Sequence, residues 1–151
     1  MTECLPFDIA PPMYGSGFFL TTRMLLGTIT SMNEPIRRAV AYIAGRALSG
    51  RSSSNVYDYS RSEHFGFSGK VTESRVSTFD YTEQCHITGS GRSGSFSLYH
   101  YGSQNHINLR VNGRKFTGFD YGSGGHFSGT VNGRSVSVYD YQTSSWFSYS
   151  I

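Results

Sequence analysis

Histidine and aspartate recur at regular intervals in this chain, and both residue types can act as acids, bases or metal ligands. Four histidines occupy one position of a recurring sequence pattern: His64, His86, His106 and His126. Four aspartates each stand between two aromatic residues: Asp58, Asp80, Asp120 and Asp140. Such a set could bind a metal ion, catalyse hydrolysis, or stabilise the loops of a repeated fold.

The aspartates belong to an aromatic–Asp–Tyr phrase that occurs five times, with His100 replacing the aspartate in the third copy. The copies are Tyr57-Asp58-Tyr59, Phe79-Asp80-Tyr81, Tyr99-His100-Tyr101, Phe119-Asp120-Tyr121 and Tyr139-Asp140-Tyr141. Successive copies are 22, 20, 20 and 20 residues apart. Each is followed by a His–Phe or His–Ile pair and the last by Trp146-Phe147, a pattern that predicts five hairpin repeats.

Neither residue type predicts a catalytic or metal site. Equivalent histidines would lie two strands apart, about 9–10 Å, whereas the ligands of one ion converge to about 2 Å from it. We expect each histidine to pair with a tyrosine across its loop, as His126 with Tyr121. A recurring aspartate suits hydrogen bonding to loop N–H groups. Cys85 and His86 would point to opposite faces of a strand. We therefore predict no catalytic residues, no metal and no cofactor, and a hydrolase is the least favoured class.

The elements that position these residues are short strands and tight turns. Asn112-Gly113 and Asn132-Gly133 predict type I′ hairpin turns, which alternate with four-residue loops such as 122–125. The expected strands lie near 55–59, 64–70, 75–81, 86–92, 95–101, 106–111, 114–121, 126–131, 134–141 and 146–151. The fold class is all-β with a short α-helical N-terminal segment: an antiparallel up-and-down meander of about ten strands.

Register follows from the turns, and it pairs Phe127 with Val138 and Tyr121 with His126. The apolar face then carries Ile107, Leu109, Val111, Phe116, Phe127, Val131, Val136, Val138, Phe147, Tyr149 and Ile151. The polar face carries an aromatic band near the four-residue loops: Tyr57, Tyr59, His64, Phe79, Tyr81, His86, Tyr99, Tyr101, His106, Phe119, Tyr121, His126, Tyr139, Tyr141 and Trp146. A parallel solenoid is disfavoured because it would stack Asp120 on Asp140.

The chain divides into an extended and helical segment, residues 1–50, and a β-hairpin repeat domain, residues 51–151. Prolines favour extended chain over 1–16, and the apolar stretch 18–31 fits either a helix or a strand. Asn33 as N-cap, Pro35 in the first turn and Gly50 as the stop predict a helix over 34–48. Its apolar residues form one stripe, with Arg37, Arg38 and Arg46 largely away from it, which predicts an amphipathic helix with one apolar face. The sheet is expected to curve or close around or against this helix.

Charge, cysteine content and the first residues narrow the classes of partner and compartment. The net charge of +3 is scattered, with nine Lys or Arg and seven Asp or Glu over residues 51–151, which argues against specific nucleic-acid binding. Cys4 and Cys85 cannot form a disulfide framework, although a single bridge between them stays open. The first residues lack a secretory n-region, so the compartment is undetermined, with the cytoplasm slightly favoured. The last strand, residues 146–151, is a candidate edge for self-association.

The aromatic band is the feature that exceeds what folding requires. We expect a non-catalytic binding or scaffold protein that presents the band to a glycan or protein partner. The expected ligand-binding residues are Tyr81, Tyr101, Tyr121, Tyr141, His86, His106, His126 and Trp146. Two alternatives stay open: the band serves as cross-strand packing, or the protein is a carrier of lipid or another apolar ligand, or membrane-associated, through its apolar face and helix.

Overall fold

The computed structural model describes residues 32–151, which form one helix and ten strands. The elements are α1 (Glu34–Ser49), β1 (Asn55–Asp58), β2 (Glu63–Val71), β3 (Arg75–Asp80), β4 (Cys85–Arg92), β5 (Ser95–His100), β6 (Asn105–Asn112), β7 (Lys115–Asp120), β8 (Gly125–Asn132), β9 (Ser135–Asp140) and β10 (Ser145–Ser150). The predictions for residues 1–31, including any partner for Cys85 at Cys4, fall outside the described residues. No helix within 32–151 is long and apolar enough to cross a membrane.

The strands form a closed antiparallel barrel in which each strand pairs with its neighbours in sequence. Closure joins β1 to β10 by a short register, Tyr57 opposite Ser150 and Asp58 opposite Tyr149. The predicted up-and-down meander is therefore confirmed, and it closes into a barrel. The strand that the sequence marks as a candidate edge, β10, pairs with β9 along its whole length and with β1 at one end.

Helix α1 begins and ends where its capping residues predict. The Ile36 N–H donates to Asn33 Oδ1 at 3.4 Å, and the Gly50 N–H donates to the Arg46 carbonyl at 3.0 Å. Gly50 adopts the left-handed conformation with φ 69°, which glycine accommodates without a Cβ clash. The helix spans Glu34–Ser49, one residue beyond the predicted end.

The barrel encloses the helix, as expected for a sheet that closes around it, and burial extends beyond the predicted apolar stripe. Every residue from 36 to 45 is buried, including Arg37 and Arg38 at 5% and 3% exposure. The helix contacts β1, β2, β6, β8 and β9, which lie on different sides of the ring of strands. Close approach is possible at Gly45, where a Cβ atom would lie 2.9 Å from Ile151 Cδ1. Arg37 and Arg38 are buried, although they lie away from the apolar stripe, because both side chains find partners inside the barrel.

The apolar face of the sheet forms the inner wall and packs on the helix. Val56, Ile87, Ile107, Val136 and Val138 are fully buried there, as the alternation of side chains along each strand requires. Glycines on this wall accept aromatic rings rather than the helix. The Phe116 ring covers Gly129, and the Phe127 ring covers Gly118.

Gly129→Ala is expected to lower the free energy of unfolding by about 2 kcal/mol. A Cβ at this position would overlap the Ser137 carbonyl oxygen and the Phe116 ring, and the backbone oxygen cannot move away without breaking strand pairing. Gly66→Ala is the matched control, since its Cβ would meet nothing nearer than Tyr81 at 3.6 Å. Urea unfolding of both variants measures the difference. Equal stability would contradict the packing described for Gly129.

Register differs by two residues at both turns from which it was predicted, because each of these turns is centred one residue away from its expected position. The second Asn–Gly turn places Gly133 and Arg134 at its centre, with positive φ at Gly133 alone; this is the pattern of a type II′ turn rather than type I′. Phe127 pairs with Asp140 instead of Val138. Because a shift of two preserves the side-chain alternation, every face assignment survives.

Candidate ligand-binding surface

Each four-residue loop is held by the central residue of the aromatic–Asp–Tyr phrase. Asp140 Oδ1 accepts the Gln142 N–H at 2.9 Å, and Asp80 Oδ1 accepts the Thr82 N–H at 2.9 Å. His100 does the same work with Nδ1, which accepts the Ser103 N–H at 3.1 Å. The expectation that these residues bind loop N–H groups is confirmed. The loops close with a residue of positive φ: Ser62, Gln84, Gln104, Gly124 and Ser144.

The aromatic band is organised into five aromatic triads on the outer wall, at the end of the barrel that carries these loops. In each triad a central ring contacts the tyrosine two residues later and a ring on the next strand. The ring centroids are 4.7 to 5.0 Å apart. The triads are Tyr57–Tyr59–His64, Phe79–Tyr81–His86, Tyr99–Tyr101–His106, Phe119–Tyr121–His126 and Tyr139–Tyr141–Trp146. Most contacts are T-shaped, a favoured geometry for aromatic pairs.

The tyrosine two residues after the central ring is exposed in every triad, and in three triads its hydroxyl is hydrogen-bonded: Tyr81, Tyr121 and Tyr141. Tyr81 and Tyr121 are each 57% exposed, and Trp146 is 61% exposed. The Tyr81 hydroxyl donates to Ser68 Oγ at 3.0 Å, while Asn108 Nδ2 donates to the Tyr121 hydroxyl at 3.2 Å. In these three triads the bonds orient the ring without covering it, and all five triads offer an aromatic surface to solvent.

All eight predicted ligand-binding residues lie on this outer surface, but the structure distributes them around the barrel rather than gathering them in one cavity. The histidines do not converge, and within residues 32–151 no cluster of three His, Cys, Asp or Glu residues could hold a metal ion. The predicted pairing of His126 with Tyr121 is wrong: His126 stands opposite Phe119, and Tyr121 contacts the other edge of Phe119. The cause is the same two-residue register shift.

Sequence reasoning missed the charge of the outer wall. The four aspartates of the recurring phrase are buried inside the barrel, each at 1% exposure or less. All nine Lys and Arg residues of the region 51–151 are exposed. A nearly balanced sequence thus yields a basic exterior. The sequence does contain a signal for this charge distribution. The aspartates alternate with outward-facing aromatic residues and therefore belong to the inner wall.

Two shallow grooves cross the outer wall between the triads and the hairpin turns. The larger, about 660 Å³, is bordered by Phe119 and His126 at one side and by Arg92 and Arg110 at the other. The second, about 480 Å³, runs between Arg75 and the Tyr99–His106 pair. Ser and Thr side chains line both floors, and Asn108 joins them in the larger groove. The grooves therefore combine aromatic rings, neutral hydrogen-bonding groups and cations.

The inner end of the barrel beneath the loops holds buried charge. Arg38 lies between Asp58 Oδ2 at 3.9 Å and Glu83 Oε2 at 3.8 Å, and its guanidinium stacks on Phe65 with Cζ 3.7 Å from the ring centroid. Burial raises the pKa of Asp80 to about 6. Arg38, Asp58 and Asp80 are buried beneath the loops, whereas Glu83 is partly exposed.

His100 and Cys85 form the other polar contact at this end. Cys85 Sγ lies 3.9 Å from His100 Nε2, whereas the sequence neighbour His86 is exposed on the opposite face, as predicted. Burial lowers the pKa of His100 to about 4, so its imidazole is neutral near pH 7 and accepts the loop N–H. Both side chains are 1% exposed, so neither is open to solvent.

Comparison with known protein families, with curated proteins and with solved structures yields no match to this chain.

Proposed function

We propose that this is a non-catalytic binding protein that holds a glycan against the aromatic triads of its outer wall. The observation that carries the proposal is the set of five ordered triads, each with a tyrosine exposed over about half of its surface. Rings of this kind pack against the apolar faces of sugars while the polar edges of the site bind their hydroxyl groups. Repetition around the barrel suits a ligand that is itself a chain of similar units.

Cross-strand packing alone accounts less well for the triads. The central rings, such as Tyr99 and Phe119, are half-buried and supply the packing between strands. The outer tyrosines and Trp146 add little burial, and large exposed aromatic side chains are enriched at recognition surfaces. A stabilising role would favour burying these rings, not fixing them by hydrogen bonds while leaving them open to solvent.

A carrier of lipid or another apolar ligand is the alternative. The inner wall is its natural site, but helix α1 packs against that wall, with Val40, Tyr42 and Ala44 fully buried. An apolar ligand would have to displace the helix or bind elsewhere. Lipid retained through purification and identified by mass spectrometry is the finding that would favour this alternative.

Tyr121→Ala/Tyr141→Ala is expected to weaken glycan binding at least tenfold, since loss of one stacked ring costs about 1–3 kcal/mol in comparable sites. The matched control is Tyr121→Phe/Tyr141→Phe, which keeps both rings and is expected to bind within about threefold of the parent protein. A glycan array identifies a ligand, titration calorimetry gives the affinities, and circular dichroism checks folding. Unchanged binding by the folded alanine variant would remove these triads from the site.

A further inference from the structure

Strand register aligns outward-facing side chains from different hairpins into straight lines across the barrel, which we call cross-strand rows. One row consists of successive partners on β3 to β8: Arg75, Ser90, Ser97, Asn108, Phe119 and His126. It begins at an arginine, passes two hydroxyl groups and one amide, and ends at an aromatic triad. Adjacent strands are about 4.8 Å apart, so the row extends about 24 Å along the curved wall.

The rows on either side have the same order of chemistry. One connects Lys70 through Ser77 and Thr88 to the Tyr99–His106 pair. The other contains Arg92 and Arg110 and continues to the Tyr139–Trp146 pair. Each row therefore joins cations of one part of the wall to a triad belonging to a later hairpin. The larger groove contains the first row from Ser90 to His126 together with Arg92 and Arg110. Arg75, where the row begins, borders the second groove.

The arginines of these rows have no acidic partner. Within residues 32–151 the ion pairs involve Arg38 and Arg61, and no side-chain hydrogen bond is made by Arg75, Arg92 or Arg110. All three are exposed. Their guanidinium groups can form two parallel hydrogen bonds to a carboxylate or sulfate, and they stand at the far end of grooves whose near end is aromatic.

We propose that the ligand is an acidic glycan lying along the cross-strand rows. Arg75, Arg92 and Arg110 bind its carboxylate or sulfate groups, the Ser, Thr and Asn side chains bind its hydroxyl groups, and a sugar ring packs at the Phe119 triad. This inference rests on the proposed function and adds the charge of the ligand and its path. The path crosses strands, so it needs an oligomer rather than a single sugar.

Charge spacing favours an acidic glycan over single-stranded nucleic acid. Arg92 and Arg110 are two strands apart, about 9.6 Å, and the centre of the first row is neutral. A nucleic-acid strand carries a phosphate about every 3.4 Å when stacked, and proteins that bind it line the whole backbone path with cations. Cations separated by hydroxyl-bearing side chains match an acidic glycan, whose negative charges are separated by sugar hydroxyl groups.

The experiment measures binding of the full chain to polygalacturonate, to neutral dextran and cello-oligosaccharides, and to poly(dT), at two salt concentrations. We expect polygalacturonate to bind at least tenfold more tightly than any neutral glycan, with affinity falling as salt rises. Arg75→Gln/Arg110→Gln is expected to lower this affinity at least tenfold and to reduce its dependence on salt. Arg51→Gln/Arg61→Gln, which removes the same charge elsewhere, is expected to bind within twofold of the parent protein.

The other outcomes each decide one question. Equal binding of neutral and acidic glycans, unaffected by Arg75→Gln/Arg110→Gln, would overturn the acidic ligand and leave the glycan-binding function in place. Tighter binding of poly(dT) than of polygalacturonate would replace the inference with a nucleic-acid ligand. Binding of none of these probes by the folded protein would count against both the inference and the function on which it rests.

Discussion

Replacing Arg38 with methionine is expected to destabilise the barrel by about 3–5 kcal/mol. Methionine keeps contact with Phe65 but removes the cation 3.9 Å from Asp58 Oδ2, a buried oxygen that makes no hydrogen bond. Asp58 is fully buried, so its charge would be left without compensation in a region of low polarity. Urea unfolding monitored by tryptophan fluorescence and circular dichroism measures the loss.

Two further variants separate charge compensation from simple packing. Arg38→Met/Asp58→Asn removes both charges and is expected to recover a large part of the stability, because a neutral pair tolerates burial better than an unpaired charge. Arg61→Met is the surface control: its pairing with Glu34 at 3.1 Å is solvent-exposed, and such pairs contribute less than about 1 kcal/mol. Equal losses for Arg38→Met and Arg61→Met would contradict the interior role of Arg38.

The second large effect concerns the dependence of stability on pH, where Asp80 and His100 act in opposite directions. Burial raises the pKa of Asp80 to about 6 from 3.8, so the folded protein holds a proton that the unfolded chain releases between about pH 4 and 6. This contribution to stability is lost as pH rises through that range. Burial lowers the pKa of His100 to about 4 from 6.5, so its contribution is lost as pH falls from about 6.5 to 4.

Each of these displacements corresponds to about 3 kcal/mol, and in the parent protein they largely cancel. Asp80→Asn keeps an oxygen for the Thr82 and Glu83 N–H groups and is expected to become more stable as pH rises from 4 to 6.5. His100→Asn keeps an acceptor for Ser103 and is expected to become less stable over the same range. The double variant should be nearly flat. The free energy of unfolding is measured for all four proteins by urea unfolding at intervals of 0.5 pH units, with Arg38, Glu83 and Cys85 unchanged in each. Parallel dependences on pH would contradict the opposite roles assigned to Asp80 and His100.

The architecture was largely predictable because its signals are local. Alternation of apolar and polar residues located the ten strands and sorted their two faces, and the caps Asn33 and Gly50 located the helix. The register was not predictable to the residue. An Asn–Gly pair fits both type I′ and type II′ turns, and placing the turn one residue away moves the pairing by two. The predicted faces of the sheet are correct because a register shift of two residues leaves each side chain on the same side.

The helix environment and the arrangement of the outer wall depend on closure of the barrel, which local patterns do not encode. Arg37 and Arg38 suggested a face in solvent, yet both lie inside because Tyr149, Phe147 and the buried carboxylates surround them. The aromatic triads could be placed on one face from alternation alone. The cross-strand rows could not, because they combine residues from hairpins far apart in sequence, and their membership changes with every shift of register.

Enclosure of helix α1 has a consequence for how the chain is made. Helix α1 precedes every strand of residues 32–151, so it is synthesised before them, carrying apolar residues on all sides and Arg38 without Asp58 and Glu83. The strands that cover the helix are synthesised one hairpin at a time. The short pairing of β1 with β10 forms last because it needs both ends of the sheet. The apolar residues of helix α1 therefore remain exposed while roughly 100 further residues are translated. During that interval a chaperone or a neighbouring nascent chain would compete with the strands for contact with the helix.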